Sequence, residues 1–341
     1  MHLGRHSLTS YFVALMLILC IFIYGCGGSS GSESSASASA STSSGGSSAE
    51  SSSNDSSSTD TTDTTDTNSK GTRDNTAHVL SPEASQVAVQ TNDAGTVTLD
   101  SSNAGEGYVM IDYSGTNEKV KMQLTGPDAV TYTYTLHNGY DTFPLTSGSG
   151  SYNITVFENI EGDQYSTALT ANLSVEITNE FGAYLYPNQY VNYAVSSQVA
   201  SLSEELAYPA NDDLEVVTNV YNYIISNFTY DYDKAASVQS GYLPVIDSTL
   251  NDKTGICFDY AAVTASLLRI QGIPTRLEIG YVGEVYHAWI SIYTAETGWI
   301  NGIIEFHGTN WELMDPTFAS TSKKPMDFIT EPGDYSTKYV Y

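Results

Sequence analysis

The stretch TGICFDYAAVTASLLRIQGIPTRLEI, Thr254 to Ile279, decides how the rest of the chain is read. Gly255 permits a tight turn. After it Tyr260, Val263 or Thr264, Leu267 and Leu268 recur at the spacing of one helix face, and Gly272 followed by Pro274 stops the helix. Cys257 therefore falls at or near a helix N-terminus. There, unsatisfied backbone N–H groups and the positive end of the helix dipole favour an anion and can bind a developing oxyanion. A cysteine kept for packing alone would more naturally sit mid-helix on the apolar face.

Past Pro274 the pattern alternates. Leu277, Ile279 and Tyr281 predict a strand, Gly283 and Glu284 a turn, and Tyr286 to Tyr293 a returning strand on which His287 and Trp289 share a face. Further on, Glu312, Leu313 and Met314 read as a strand that Pro316 ends, which puts Asp315 at its tip. A helix packed on an antiparallel sheet, an α+β arrangement, can bring the thiol to the imidazole with the carboxylate on a nearby strand. In such a Cys, His, Asp set the imidazole takes the thiol proton, and the carboxylate fixes its tautomer and stabilises the imidazolium. Spacing alone does not separate this from a structural histidine.

The cysteine count sharpens the question. Residues 1–25 carry Arg5 as their only formal charge and an apolar run from Tyr11 to Ile23, short of the roughly 20 residues a membrane-spanning helix needs. This predicts a signal peptide. Ile23 to Cys26 resembles the lipobox of bacterial lipoproteins, in which the cysteine is lipidated and becomes the first mature residue. Cys20 then leaves with the signal, Cys26 is acylated, and Cys257 is the remaining thiol, so no intramolecular disulfide can form. The expected location is extracytoplasmic, with the chain held to the membrane through lipid on Cys26.

From Cys26 to His78 no apolar side chain exceeds alanine in size. A segment of Ser, Thr, Gly, Ala and Asp cannot build a core, so residues 26–78 are expected to be a disordered tether with a root-mean-square span of roughly 40 Å. Residues 79–178 switch to period-two alternation. Val109, Ile111 and Tyr113, then Val120, Met122 and Leu124, then Tyr132, Tyr134 and Leu136 each line one face, as do Tyr152, Ile154 and Val156. Leu169, Ala171, Leu173, Val175 and Ile177 form the cleanest run. Such strands between Gly, Asn, Asp and Ser turns predict an immunoglobulin-like antiparallel β-sandwich, read as a spacer or support in preference to a wall-binding module.

After Phe181 the period becomes helical. Leu202 and Leu206 mark one short helix. A stronger one starts at Asp212, with Glu215 completing a capping-box variant and Val217, Val220, Tyr221 and Ile224 on its buried face. In FTYDYDKA, Phe228 to Ala235, the carboxylates of Asp231 and Asp233 are read as a solvated turn rather than a cation site.

Charge and histidine usage exclude whole classes of function. Twelve Lys and Arg against 39 Asp and Glu give −27, a surface that repels nucleic acid and anionic lipid. His2 and His6 lie in the signal and His78 and His137 outside the candidate domain, leaving only His287 and His307 within it. There is no HExxH or paired-cysteine spacing and no glycine-rich phosphate loop, so neither a metal nor another cofactor is expected.

The segments GICFDYAAVTASLLRIQGIPTRLEIGYV, YHAWISIY and WELMDPTF resemble, in order, the three motif blocks of the transglutaminase-like superfamily. NVYNYIISNFTYDYDKA and SGYLPVIDSTLNDKTGIC are similar to its bacterial extracellular branch, often found in lipoproteins. The resemblance covers about Tyr184 to Tyr341. It implies a papain-like α+β core over residues 179–341, with Cys257 as nucleophile, His287 as general base and acid, and Asp315 as the orienting residue. Animal crosslinking members use an upstream tryptophan to help bind the oxyanion, whereas Trp289, Trp299 and Trp311 all follow Cys257 here. Tyr242 in SGYLP is the candidate donor in its place, beside the Cys257 backbone N–H. Trp299 to Asn310 is expected to lengthen the link between the His and Asp strands, with His307 at the rim.

The function expected is that of a surface-anchored cysteine hydrolase or acyltransferase acting on peptide or isopeptide amides through a thioester. Its substrates are peptides or proteins, cell-wall peptides among them. Hydrolysis is favoured over transamidation because it needs no second substrate pocket. The alternative is a non-catalytic lipoprotein that binds cell wall or protein.

Overall fold

The computed structural model describes residues 69–301, 303–307, 310–314 and 335–341. Cys26 and Asp315 lie outside the described residues, as do the signal and most of the tether.

Eight strands form two antiparallel sheets: β1 (Val89–Thr91), β2 (Val97–Asp100), β3 (Tyr108–Tyr113), β4 (Val120–Thr125), β5 (Thr131–Leu136), β6 (Gly139–Pro144), β7 (Gly150–Glu161) and β8 (Gln164–Val175). The strand orders are β1-β2-β3-β6 and β5-β4-β7-β8. Alternation drives the pairing. Val120, Met122 and Leu124 are buried while Lys121 and Gln123 are exposed, and the inward residues of both sheets join one apolar cluster. Constant-type immunoglobulin domains divide seven strands four and three. The division here is four and four, so the pairing identifies a two-sheet antiparallel unit without an immunoglobulin label.

The helices follow: α1 (Gln198–Ala207), α2 (Asp213–Asn227), then β9 (Thr229–Tyr230), α3 (Tyr232–Ser237), α4 (Ile246–Asp252), β10 (Thr254–Gly255) and α5 (Cys257–Ile270). Asp212 caps α2 by accepting from the Glu215 N–H at 2.9 Å, and Glu215 reaches back to the Asn211 N–H at 2.7 Å. Val217, Val220, Tyr221 and Ile224 are buried, as the helical spacing predicts. The segment read as a solvated turn is instead a short strand and a helix: Asp231 caps α3 by accepting from the Lys234 N–H at 2.8 Å.

A third four-stranded sheet runs β13-β12-β11-β16, built from β11 (Thr275–Val282), β12 (Val285–Thr294), β13 (Gly298–Asn301) and, after the hairpin β14 (Ile303–His307) and β15 (Asn310–Met314), β16 (Tyr335–Val340). Residues expected only to lengthen a link thus form β13 and β14, with His307 at the end of β14. The strand β16, which no sequence signal marked, closes the sheet against β11. There β16 crosses so near Gly280 that a Cβ would lie 2.0 Å from the Ser336 carbonyl oxygen, so glycine is required, and this residue stands opposite His287 in the β11–β12 register. Helix α5 lies across β11 and β12 and also contacts α1, α2 and α4.

One expectation is corrected. The tether does not run free to residue 78. Its last residues bind along the helices: the Gly71 N–H donates to the Tyr208 carbonyl at 2.9 Å, Arg73 pairs with Asp213 at 2.7 Å and donates to the Gln271 carbonyl at 2.6 Å, and the His78 N–H donates to the Ile270 carbonyl at 2.7 Å. Composition missed this because the segment is held by backbone polar groups and by the polar side chains of Thr72, Arg73 and Asn75, with no apolar run to announce it.

The two-sheet unit and the helical unit share a continuous apolar core. Tyrosines make the seam. Tyr341 meets Tyr132 and Tyr134 of β5 at ring-centroid distances of 5.5 and 6.0 Å and Tyr190 at 4.4 Å. Gln189 donates to the Thr135 carbonyl at 2.7 Å. Near this seam the guanidinium of Arg269, 1% exposed, donates to the carbonyls of Thr275 (2.7 Å), Tyr186 (3.0 Å) and Tyr341 (2.8 Å). Burial lowers its pKa to about 10, which leaves it charged at neutral pH. Replacing Arg269 with Met removes the buried donor that these three carbonyls share, and chemical denaturation is expected to show a loss of about 3 kcal/mol. Arg73→Ala, on the partly exposed strap, is expected to cost only about 1–2 kcal/mol in the same measurement.

Candidate active site

The local fold around Cys257 begins with a two-residue parallel ladder. β9 pairs with β10 in the register Thr229–Thr254 and Tyr230–Gly255, and the Asp231 N–H donates to the Gly255 carbonyl at 2.9 Å. This ladder delivers the chain into α5, whose first residue is Cys257, as the spacing predicts. Among the described residues Cys257 is the free cysteine, and it is partly exposed.

A buried carboxylate holds this helix start. Asp259, 0% exposed, accepts from the Ile256 N–H at 2.9 Å, from Lys234 Nζ at 2.7 Å and from the Tyr242 hydroxyl at 2.5 Å. Lys234 also donates to the Tyr242 oxygen at 2.6 Å. Gly255 makes this possible, since a Cβ there would sit 2.7 Å from the Asp259 Cβ. The Tyr242 proton is thus directed at Asp259, so the tyrosine proposed from sequence as an oxyanion donor is bonded within the clamp under the helix.

A different tyrosine lies near the thiol. The Tyr230 hydroxyl is within electrostatic reach of Cys257. Burial, with a contribution from neighbouring Cys257, pushes the Tyr230 hydroxyl up to about 12, so it keeps its proton at neutral pH. The sequence signal for it existed, a tyrosine just upstream of the same motif, but the choice between Tyr230 and Tyr242 needs the β9–β10 pairing.

His287 lies on β12, buried to 4% exposure, with its ring 6.3 Å from Trp289 in a near-parallel arrangement. Its neighbour Tyr286, half-exposed, lies within electrostatic reach of Cys257, and burial is the main cause that raises its pKa to about 12. The α5 start and the β12 start therefore approach one another. Asp315 follows β15 directly and falls outside the described residues; β14, the partner of β15, contacts β12 and β13. On the face that His287 shares by register, Arg276 stacks at 3.6 Å on Trp299 and at 4.9 Å on Tyr184, fixing β11 against the segment that leads into α1.

The clamp has a pH signature. Burial opposes the charge on Lys234, but its bonds to Asp259 and Tyr242 outweigh that and raise its pKa above the ordinary 10.5. A raised lysine pKa stabilises the fold fully below the unfolded value and loses this contribution as pH rises through the folded one. Lys234→Met is accordingly expected to cost about 3 kcal/mol near neutrality, because it strands a buried carboxylate. The gap between wild type and variant in denaturation midpoints should narrow only above the ordinary lysine pKa of 10.5.

Residues 200–302 match the transglutaminase-like superfamily. The UPF0252 protein MJ1282 of Methanocaldococcus jannaschii is 29% identical over 107 residues, covering 28% of this chain and 30% of that one. The protein YebA of Bacillus subtilis is 24% identical over 147 residues, 37% of this chain and 20% of its own. The chain thus spans less than a third of the length of either relative. Among solved structures, a candidate cysteine protease from Cytophaga hutchinsonii aligns at 14% identity with a TM-score of 0.34, covering 69% of this chain and 76% of that one. The periplasmic domain of TgpA from Pseudomonas aeruginosa aligns at 15% identity with a TM-score of 0.32, covering 72% and 81%. These superpositions are too loose to carry an argument, and the assignment rests on the sequence match. Residues 200–302, from within α1 through the strand that bears His287, are thus similar to the transglutaminase-like superfamily.

Proposed function

We propose that this protein is a cysteine acyl-transfer enzyme that opens peptide or isopeptide amides through a thioester on Cys257, with hydrolysis as its principal outcome. The observation that carries this reading is the setting of Cys257: a partly exposed thiol on the first residue of α5, set beside the start of the strand that bears His287. A thiol held for packing needs none of these features.

In the proposed cycle the Cys257 thiol gives its proton to the His287 imidazole and its sulfur attacks the amide carbon. The carbonyl π pair moves onto oxygen. As the tetrahedral intermediate collapses, the C–N bond breaks and His287 returns the proton to the departing amine. Water, deprotonated by His287, then cleaves the thioester and releases a carboxylic acid. An amine in the place of water gives transamidation. Asp315 is assigned to orient His287, Cys26 to carry the lipid that holds the enzyme at the outer face of the membrane, and peptides or proteins there, cell-wall peptides included, to be the substrates.

The deciding experiment incubates the full chain with cell-wall peptides and a labelled primary amine and identifies products by mass spectrometry. Hydrolysed peptides are expected from wild type and none from Cys257→Ala, whose unfolding midpoint should stay near that of wild type because the side chain is only partly buried. Asp315→Asn is expected to lower kcat by roughly 10⁴-fold if it sets the imidazole tautomer. Undiminished hydrolysis by Cys257→Ala would refute the proposal, and amine adducts in place of acids would make the enzyme a transamidase.

A further inference from the structure

We infer that Tyr190 is a positioning residue for Cys257: it carries the hold of β5 to the first turn of α5, which makes the two-sheet unit a working part of the active site and not a spacer. This rests on the acyl-transfer reading above. The point of contact is Phe258, the residue next to the nucleophile. Its ring lies between two others, Tyr190 at a centroid distance of 5.4 Å and Tyr242 at 6.3 Å. Tyr190 in turn stacks on Tyr134 of β5 at 5.7 Å and meets Tyr341 at 4.4 Å. The segment that bears Tyr190 is itself fixed. The Asn188 side chain accepts from the N–H groups of Tyr190 and Val191, both at 3.0 Å, and buried Gln189 donates to the Thr135 carbonyl at 2.7 Å and to the Asp141 carboxylate at 3.2 Å. The loop bearing Tyr242 also runs past β5, since a Cβ on Gly241 would lie 3.7 Å from Thr135 Oγ1. Both rings that grip Phe258 are thus braced by the same strand of the two-sheet unit.

Phe258 matters because it shares a peptide bond with Cys257. Successive residues of a helix point about 100° apart, so Phe258 stands a little more than a quarter-turn from Cys257 on one side and from Asp259 on the other. The Asp259 clamp holds the first turn from one direction through hydrogen bonds. Held there alone, the turn can still swing about that point. The Phe258 ring between Tyr190 and Tyr242 supplies the second hold, and two holds about 100° apart fix the direction of the Cα–Cβ bond of Cys257. That direction sets the approach of the sulfur to a carbonyl carbon, and a displacement of about 1 Å at the reacting atom can cost about a hundredfold in rate. Removing the Tyr190 ring leaves the clamp intact, so the expected loss is smaller than that limit. An aliphatic side chain in its place leaves Phe258 free to tilt, whereas phenylalanine keeps the flat face.

The test uses the full chain at a temperature where circular dichroism shows every variant folded, with p-nitrophenyl acetate as acyl donor and p-nitrophenol release as the readout. Tyr190→Leu is expected to lower kcat about tenfold with KM changed less than about twofold, and Tyr190→Phe to stay within about twofold of wild type. Alkylation of Cys257 by iodoacetamide, a small mobile reagent, is expected to change less than about threefold at the high-pH plateau where the thiolate is fully formed. Phe258→Leu should reproduce the fall in kcat, and the double variant should fall no further than either single one, because Tyr190 acts through Phe258. Val97→Ala, in the buried core of β2 on the opposite sheet, should lower the unfolding midpoint and leave kcat unchanged. A wild-type kcat in folded Tyr190→Leu would overturn the inference. So would an equal fall in Val97→Ala or Tyr190→Phe, additive losses in the double variant, or a matching fall in alkylation, which would mean a hidden thiol and not a misdirected one. Wild type that is alkylated but never acetylated would instead defeat the acyl-transfer reading itself, and this inference with it.

Discussion

The carboxylate of Asp259 is the constraint on which the site depends. It is fully buried, yet it receives a backbone N–H, an ammonium and a phenol, and these three bonds tie the first turn of α5 to α3 and to the loop that carries Tyr242. An ionised group of this kind is costly to bury and is held only when its acceptor positions are filled. Filling them fixes the helix start to within the tolerance of hydrogen-bond geometry. Cys257, two residues earlier, inherits that precision, and so does Tyr230 through the ladder beside it.

The other end of α5 is held by the opposite charge. Arg269 has carbonyl oxygens rather than a carboxylate around its guanidinium, and it draws the end of the helix, the start of β11, the Tyr186 segment and Tyr341 to one point. Between the two buried charges the helix is small and apolar, with Ala261, Ala262, Val263 and Ala265 all buried, which lets it lie close against β11 and β12. Its position is therefore set by polar groups at its ends and by close packing along its length.

The tyrosine-rich composition has a structural use at the seam between the two-sheet unit and the helical unit. Tyr132 and Tyr134 come from β5, Tyr190 from the connection into the helices and Tyr341 from beyond the last strand, and the Tyr341 ring meets the other three edge to face. Aromatic rings give large contact area at low entropic cost. With the Gln189 bond and a shared apolar core, the seam joins the two units without a disulfide. The strap of residues 70–78 adds a further tie, running from the edge of the helices toward β1.

The sequence by itself determined the local elements. Period-two runs such as Val120 to Leu124 and Tyr152 to Val156 became strands with the expected faces buried, Asp212 and Glu215 opened α2, and the Gly255 turn placed Cys257 on the first residue of α5. These outcomes depend on dihedral preference and side-chain alternation over a few neighbouring residues, which any short window contains. Only the tertiary structure decided what those elements meet. Tyr230 and Tyr242 look equivalent in the chain, and one lies in the ladder that leads into Cys257 while the other donates to Asp259, because β9 pairs with β10 across 25 residues of sequence. β16 and the strap were equally illegible, since both are held by backbone hydrogen bonds to distant partners, and a backbone N–H carries no sequence signature of the carbonyl it will find.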